Sequence, residues 1–196
     1  SYYETTNYAI AESHEPGSTY KLADLVALLE DKKVDTSKVY DSYGGTIIYS
    51  GKKVRDSHEG GYGKISLARG FEVSSNTVMV QAVYNNYKNN PAQFVEHLNK
   101  FGLNKPLGLP IKGEGRPYIP QPSDKNWSNI SLPWMAFGYG VSITPLQTLT
   151  FYNSIANNGE MVNRGVELTI SRVLFEKKDQ YAKVGLNLTR NRNKVI

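Results

Sequence analysis

Ser18-Thr19-Tyr20-Lys21 sets a hydroxyl and an amine three residues apart, directly after the turn-forming pair Pro16-Gly17. On a helix that spacing brings both side chains to one face. A serine hydroxyl becomes a useful nucleophile only when a neighbour takes its proton. A neutral lysine can take it, and desolvation or nearby positive charge lowers the lysine pKa towards that state. The unpaired amides of a helix's first turn oppose an ammonium there, and they can donate to the oxyanion of an attacked carbonyl. One turn of chain thereby offers nucleophile, base and part of an oxyanion hole. The pattern is short, and a capped helix with an exposed lysine also produces it.

Ser74-Ser75-Asn76 stands 56 residues beyond Ser18, again where a helix is expected to open. Its hydroxyl can relay a proton, and its amide can both donate to and accept from a peptide-like substrate. Serine and asparagine also favour such positions simply as caps. Other groupings carry less. Asp56-Ser57-His58 contains triad residue types, but neighbours on a strand point to opposite faces and a triad needs convergence. His14, His58 and His97 show no local metal-ligand spacing. Gly60-Gly61-Tyr62-Gly63-Lys64 lacks the spacing of a phosphate loop and reads as a turn.

The elements that must position these residues are partly visible in the apolar spacing. Leu22, Leu25, Val26 and Leu29 form one stripe, predicting a helix from about Ser18 to Asp31. Residues 37–67, rich in glycine, predict loops with one or two short strands such as Thr46-Ile47-Ile48-Tyr49. A second helix is expected from Ser74–Asn76, with Val78, Ala82 and Val83 on its buried side. A third follows the Asn90-Pro91 start, with Phe94, Leu98 and Phe101 inward and Gly102 as its stop. Six prolines (106, 110, 117, 120, 122 and 133) crowd residues 102–135, a stretch expected to wrap the body with Trp127 and Trp134 as anchors. Thr144-Pro145 opens a further helix, with Leu149, Tyr152, Ile155 and Ala156 on its apolar side and Asn157-Asn158-Gly159 at its end. Val166, Leu168 and Ile170 alternate, and Tyr181 to Leu188 follows, which suggests two strands.

With 196 residues the chain can bury a core unaided, and 39% hydrophobic against 21% charged residues exclude collagen, coiled coil and outright disorder. The longest apolar run, Leu25 to Leu29, is far short of a membrane span, and Ser1-Tyr2-Tyr3-Glu4 does not read as a signal peptide. No cysteine is present, so disulfides, thiol catalysis and cysteine-bound zinc are ruled out. The net charge of +5 lies wholly in residues 164–196, where eight Lys/Arg face three acids. A neutral body with a basic tail is unlike a phosphate-binding groove, and nucleic acid is not an expected partner.

Taken together, Glu15-Pro16-Gly17-Ser18-Thr19-Tyr20-Lys21, Ser74-Ser75-Asn76 and Gly138-Tyr139-Gly140-Val141-Ser142-Ile143-Thr144-Pro145-Leu146-Gln147 resemble a penicillin-binding protein transpeptidase. Asn7-Tyr8-Ala9, Gly108-Leu109 to Gly113-Glu114-Gly115, and Ala156-Asn157-Asn158-Gly159 are similar to the class B, division-type branch. The likeness covers residues 1–163, taken as a partial transpeptidase-like domain, and leaves 164–196 as a divergent basic segment. It implies an α+β fold of the penicillin-binding and serine β-lactamase type, helix-rich, with an incomplete antiparallel sheet.

The resemblance also implies roles. Ser18 would be the acylated nucleophile and Lys21 its general base. Ser74 would pass a proton to the leaving amine, and Asn76 would hold the substrate's amide. Peptidoglycan stem peptides ending in D-Ala-D-Ala would be substrates, β-lactams would acylate Ser18, and cell-division proteins would be partners. No metal or organic cofactor is implied. The implied setting is the periplasmic, extracytoplasmic face of the bacterial inner membrane, reached through an anchor that is not in this chain. The family's lysine-threonine-glycine motif is missing, and Lys183-Val184-Gly185 is the nearest string. A fragment of the enzyme is therefore expected, and a non-catalytic β-lactam or peptidoglycan sensor, or an inactive fragment, stands as the alternative.

Overall fold

The computed structural model describes residues 6–110, 112–157, 159, 164–177 and 180–192. The chain forms two compact units, Ser1–Leu149 and Thr150–Ile196. Seven α-helices and six strands are described: α1 Tyr8–Ala11, α2 Lys21–Glu30, β1 Val39–Asp41, β2 Thr46–Tyr49, β3 Lys52–Arg55, β4 Lys64–Ser66, α3 Leu67–Glu72, α4 Asn76–Tyr87, α5 Pro91–Lys100, α6 Ser131–Met135, α7 Pro145–Ala156, β5 Arg164–Lys177 and β6 Gln180–Arg192.

α4 is the centre of the first unit. Every residue from Thr77 to Val83 is buried, the signature of a helix packed on all sides. It packs against α2, α3, α5, α6, β1 and β3. Ala27 and Leu28 of α2, Phe94 and Leu98 of α5, Leu67 of α3, Val54 of β3 and Met135 of α6 complete the core. The polar residues of α4 that this encloses are satisfied, as buried polar groups must be. Gln81 Nε2 donates to Asp41 O at 2.7 Å and Thr77 O at 3.0 Å.

The strands are short and pair as separate antiparallel ladders. β2 and β3 make a hairpin, while β1 pairs with β4 across it. β5 and β6 form a long hairpin in which Lys183, Val184 and Gly185 oppose Val173, Arg172 and Ser171. The two strands expected after residue 163 are thus both present. Among the described residues no helix is long and apolar enough to cross a membrane.

Two helices differ from the sequence reading. The segment Gly17–Tyr20 is a 3₁₀ turn, and the α-helix begins only at Lys21. On α7 the buried residues are Gln147, Phe151 and Ser154, while Leu149, Tyr152 and Ile155 are exposed. Gln147 is the reason: it caps the helix start by accepting from the Thr144 amide at 2.8 Å, and its Nε2 donates to Lys105 O at 2.7 Å. A fully bonded glutamine can occupy a buried face that periodicity alone assigns to leucine.

The far end of α2 is tied to α5 by His97, whose Nε2 lies 2.8 Å from Asp31 Oδ1 and whose Nδ1 lies 3.1 Å from Glu30 Oε2. Asp31 also accepts from the Tyr87 hydroxyl and from Gln93, each at 2.9 Å. Burial alone would raise the Asp31 carboxyl, but hydrogen bonds from His97 and Tyr87 and the nearby positive charges hold it below its usual value. A carboxylate depressed in the folded state contributes stability above its unfolded pKa and loses it as pH falls through the folded value. Asp31→Asn should therefore lower stability at pH 7, and the gap between variant and wild type should narrow below about pH 4. Urea denaturation at pH 7 and pH 3 checks this, and a pH-independent gap would count against the ion-pair account.

Candidate active site

Ser18 sits on the 3₁₀ turn with its side chain exposed. The turn closes when the Lys21 amide donates to Ser18 O, and the Thr19 hydroxyl donates to Pro16 O at 2.8 Å. The Ser18 hydroxyl makes no hydrogen bond among the described residues, and in particular none to Lys21. Three residues on, Lys21 is only 1% exposed. The turn therefore separates an accessible hydroxyl from a buried amine within a few residues of chain.

Lys21 reaches across to the loop before α4. Its Nζ lies 2.6 Å from Ser74 O, 2.9 Å from Ser74 Oγ and 2.6 Å from Asn76 Oδ1. Three of the four sequence-derived residues thus converge on one nitrogen. As an ammonium Lys21 donates to all three oxygens; as a neutral amine it can keep the two bonds to the carbonyl-type oxygens and accept from the Ser74 hydroxyl. Burial lowers the Lys21 pKa to about 8, although the Asp24 and Asp56 charges pull it upwards. A base poised near neutrality is what general-base chemistry requires.

Ser74 is held in an unusual shape. Its φ is +55°, in the left-handed region that a non-glycine residue enters at a cost of roughly 1–3 kcal/mol. This turn is what points its carbonyl and hydroxyl to the same neighbour. Asn76 is also committed: its Nδ2 donates to Arg55 O at 2.7 Å. Its amide keeps one donor and one acceptor position for a substrate.

The turn carrying Ser18 is backed by residues 138–143. Gly17 N donates to Gly138 O at 3.1 Å, Gly140 N donates to Glu15 Oε1 at 2.8 Å, and His14 and Ile143 form a β-bridge. Gly138 has φ +80°, and a Cβ there would lie 2.0 Å from Gly17 O. Only glycine permits this approach.

Two groups take places that the sequence reading did not assign to them. Asp24 is fully buried one turn beyond Lys21, and neither carboxylate oxygen has a hydrogen-bond partner. Burial pushes its pKa well above the ordinary carboxylate value, opposed by the Lys21 charge. Its spacing from Lys21 was the available signal. Asp56 accepts hydrogen bonds from Ser75 and Thr77. Nothing local in the sequence marked it for that role.

A family model described as penicillin binding protein transpeptidase domain matches residues 2–188. The chain is 31% identical over 159 residues to the penicillin-binding protein PbpB of Mycolicibacterium smegmatis, covering 80% of this chain and 23% of that protein. It is 28% identical over 153 residues to the peptidoglycan D,D-transpeptidase FtsI of Escherichia coli, covering 78% of this chain and 24% of the relative. A crystal structure of penicillin-binding protein 3 from Mycobacterium tuberculosis, complexed with aztreonam, superposes with a TM-score of 0.71 at 28% identity, over 82% of this chain and 34% of that one.

The fold is the helix-rich α+β architecture of penicillin-binding transpeptidase domains. The chain belongs to the penicillin-binding protein transpeptidase family. It spans about a quarter of the length of the curated relatives it matches. The family match runs to residue 188, beyond the point at which motifs alone had carried the likeness.

Proposed function

We propose that this chain carries the acylation chemistry of a peptidoglycan D,D-transpeptidase. Ser18 Oγ attacks the carbonyl of the penultimate D-alanine in a stem peptide ending D-Ala-D-Ala, and Lys21 takes the hydroxyl proton. The tetrahedral intermediate collapses, the C–N bond breaks, and the terminal D-alanine leaves as an amine protonated through Ser74. An amine of a neighbouring stem then displaces Ser18 and forms the cross-link. Asn76 holds the substrate amide with its remaining donor and acceptor. A β-lactam follows the first half of this path: the ring opens on Ser18 and the ester persists. No metal or organic cofactor takes part. The setting is the extracytoplasmic, periplasmic face of the inner membrane, and cell-division proteins are the partners.

One observation carries this reading: a buried lysine meets Ser74 and Asn76 within 2.9 Å, three residues from an exposed serine. A second reading, a covalent binder that does not turn over, is favoured by the missing lysine-threonine-glycine motif, to which Lys183-Val184-Gly185 is the nearest string. D-alanine release from a synthetic D-Ala-D-Ala stem peptide separates the two. Wild-type release that falls to background in Ser18→Ala supports the transpeptidase. β-Lactam acylation without D-alanine release selects the binder. Equal release by both proteins would remove Ser18 from the mechanism.

A further inference from the structure

Asp56, just past β3, holds none of the chemical roles assigned above, yet its carboxylate is heavily engaged. Oδ1 accepts from the Thr77 amide at 2.9 Å, Oδ2 accepts from the Thr77 hydroxyl at 2.9 Å, and the Ser75 hydroxyl lies 3.1 Å from both oxygens. Its own amide donates to Gly45 O at 2.9 Å, which ties it to the loop between β1 and β2. The preceding residue, Arg55, accepts from Asn76 Nδ2 at 2.7 Å. Two consecutive residues therefore grip residues 75, 76 and 77, immediately after the left-handed Ser74.

Capping accounts for part of this arrangement, with Asp56 taking the Thr77 amide at 2.9 Å and Ser75 the Val78 amide at 3.2 Å, but not for the Ser75 and Thr77 hydroxyls that Asp56 also holds. A residue in a disfavoured conformation persists only where its surroundings over-determine it. Here they do so from both sides: Ser74 N donates to Phe71 O at 3.0 Å and Ser75 N to Gly70 O at 2.8 Å, while Asp56 takes the side chains beyond. We propose that Asp56 is a positioning residue for acyl transfer, clamping Ser75 and Thr77 so that Ser74 keeps the conformation in which its carbonyl and hydroxyl both meet Lys21. This inference rests on the acyl-transfer reading of Ser18 and Lys21.

Charge gives the clamp a signature that a purely structural role lacks. The groups acting on the Lys21 ammonium are Asp24 on its own helix, Asp56 from the end of β3, and the neutral oxygens of Ser74 and Asn76 before α4. The buried Tyr20 phenol precedes it on the turn. Both carboxylates favour the charged lysine. Removing the Asp56 charge should let Lys21 lose its proton at lower pH. Merely loosening the loop would admit water and move Lys21 the other way, towards its ordinary value.

The test follows benzylpenicillin acylation of the full chain by intact-mass time courses from pH 6 to pH 10, for wild type, Asp56→Asn and Thr77→Val. In Asp56→Asn the limiting acylation rate should fall roughly 10- to 100-fold, the cost of a misplaced catalytic group. The half-saturating concentration should stay within about threefold of wild type. The acid limb of its pH profile should move to lower pH. Thr77→Val, which removes one contact and no charge, should slow acylation less and leave the limb in place. An unchanged limiting rate in folded Asp56→Asn, or a limb that moves to higher pH, would overturn the proposal. If Asp56→Asn does not fold, an unaltered rate in folded Thr77→Val does the same. No adduct on wild type would defeat the acyl-transfer reading itself, and this inference with it; wild-type acylation with normal variants defeats the inference alone.

Discussion

Lys21→Ala should slow acylation of Ser18 by a penicillin roughly 10²- to 10⁴-fold, the usual contribution of a positioned general base. The wild-type rate should climb between pH 6 and pH 9 with a midpoint near the Lys21 value of about 8. The sign follows from the mechanism: the neutral amine is the active form, so activity is lost as pH falls and the ammonium forms. In the alanine variant the residual rate should lose that limb. The cavity left by the buried side chain would also disturb the site, so Lys21→Met serves as a second variant of similar length. Stopped-flow acylation across the pH range measures both effects. A full-speed Lys21→Met enzyme, or a profile flat from pH 6 to pH 9 in wild type, would remove Lys21 from the base role.

The second large effect is expected at Gly138, far from Ser18 in sequence. Alanine there must adopt φ +80° and place its Cβ 2.0 Å from Gly17 O. Backbone strain and overpacking each cost about 1–3 kcal/mol, so Gly138→Ala should lose roughly 2–6 kcal/mol of stability. Since the obstructing atom belongs to the backbone beside Ser18, no side chain can move aside. The turn must shift instead. Thermal unfolding should show a large drop in Tm, and the fraction that stays folded should acylate more slowly than wild type. Gly140→Ala makes the comparison informative: its φ is also positive, at +70°, but nothing stands within 4 Å of a Cβ there. If Gly138→Ala is no worse than Gly140→Ala, the close approach is not what supports the turn.

Much of the site was legible because its chemistry is local. Ser18 and Lys21 are three residues apart, Ser74 and Asn76 two, and each pair sits at a helix start that proline, glycine or serine announces. The 3₁₀ geometry of Gly17–Tyr20 was not legible, because the turn is backed by Gly138, which bonds Gly17, and Gly140, which bonds Glu15, both more than a hundred residues away. In the sequence Asp56 stands beside Ser57 and His58, a grouping of triad residue types that cannot converge on a strand. Its actual partners lie 19 and 21 residues further on, and only the packing of β3 against α4 unites them. Helix α3 was missed although Ser66 caps it by accepting from the Arg69 amide at 3.1 Å, since its six residues are too short for a periodic stripe. The pairing of β1 with β4 around the β2–β3 hairpin also lies beyond any local pattern. On α7, apolar spacing chose Leu149, Tyr152 and Ile155, and the hydrogen-bonded Gln147 reversed the choice.

The central claim is that Ser18 is the acylated residue. Incubating the folded chain with benzylpenicillin, digesting it and mapping the adduct by tandem mass spectrometry tests that claim most directly. The account predicts one penicilloyl group per chain, attached to Ser18 and lost in Ser18→Ala. An adduct on Ser74 or any other residue, or one that survives in Ser18→Ala, would contradict it.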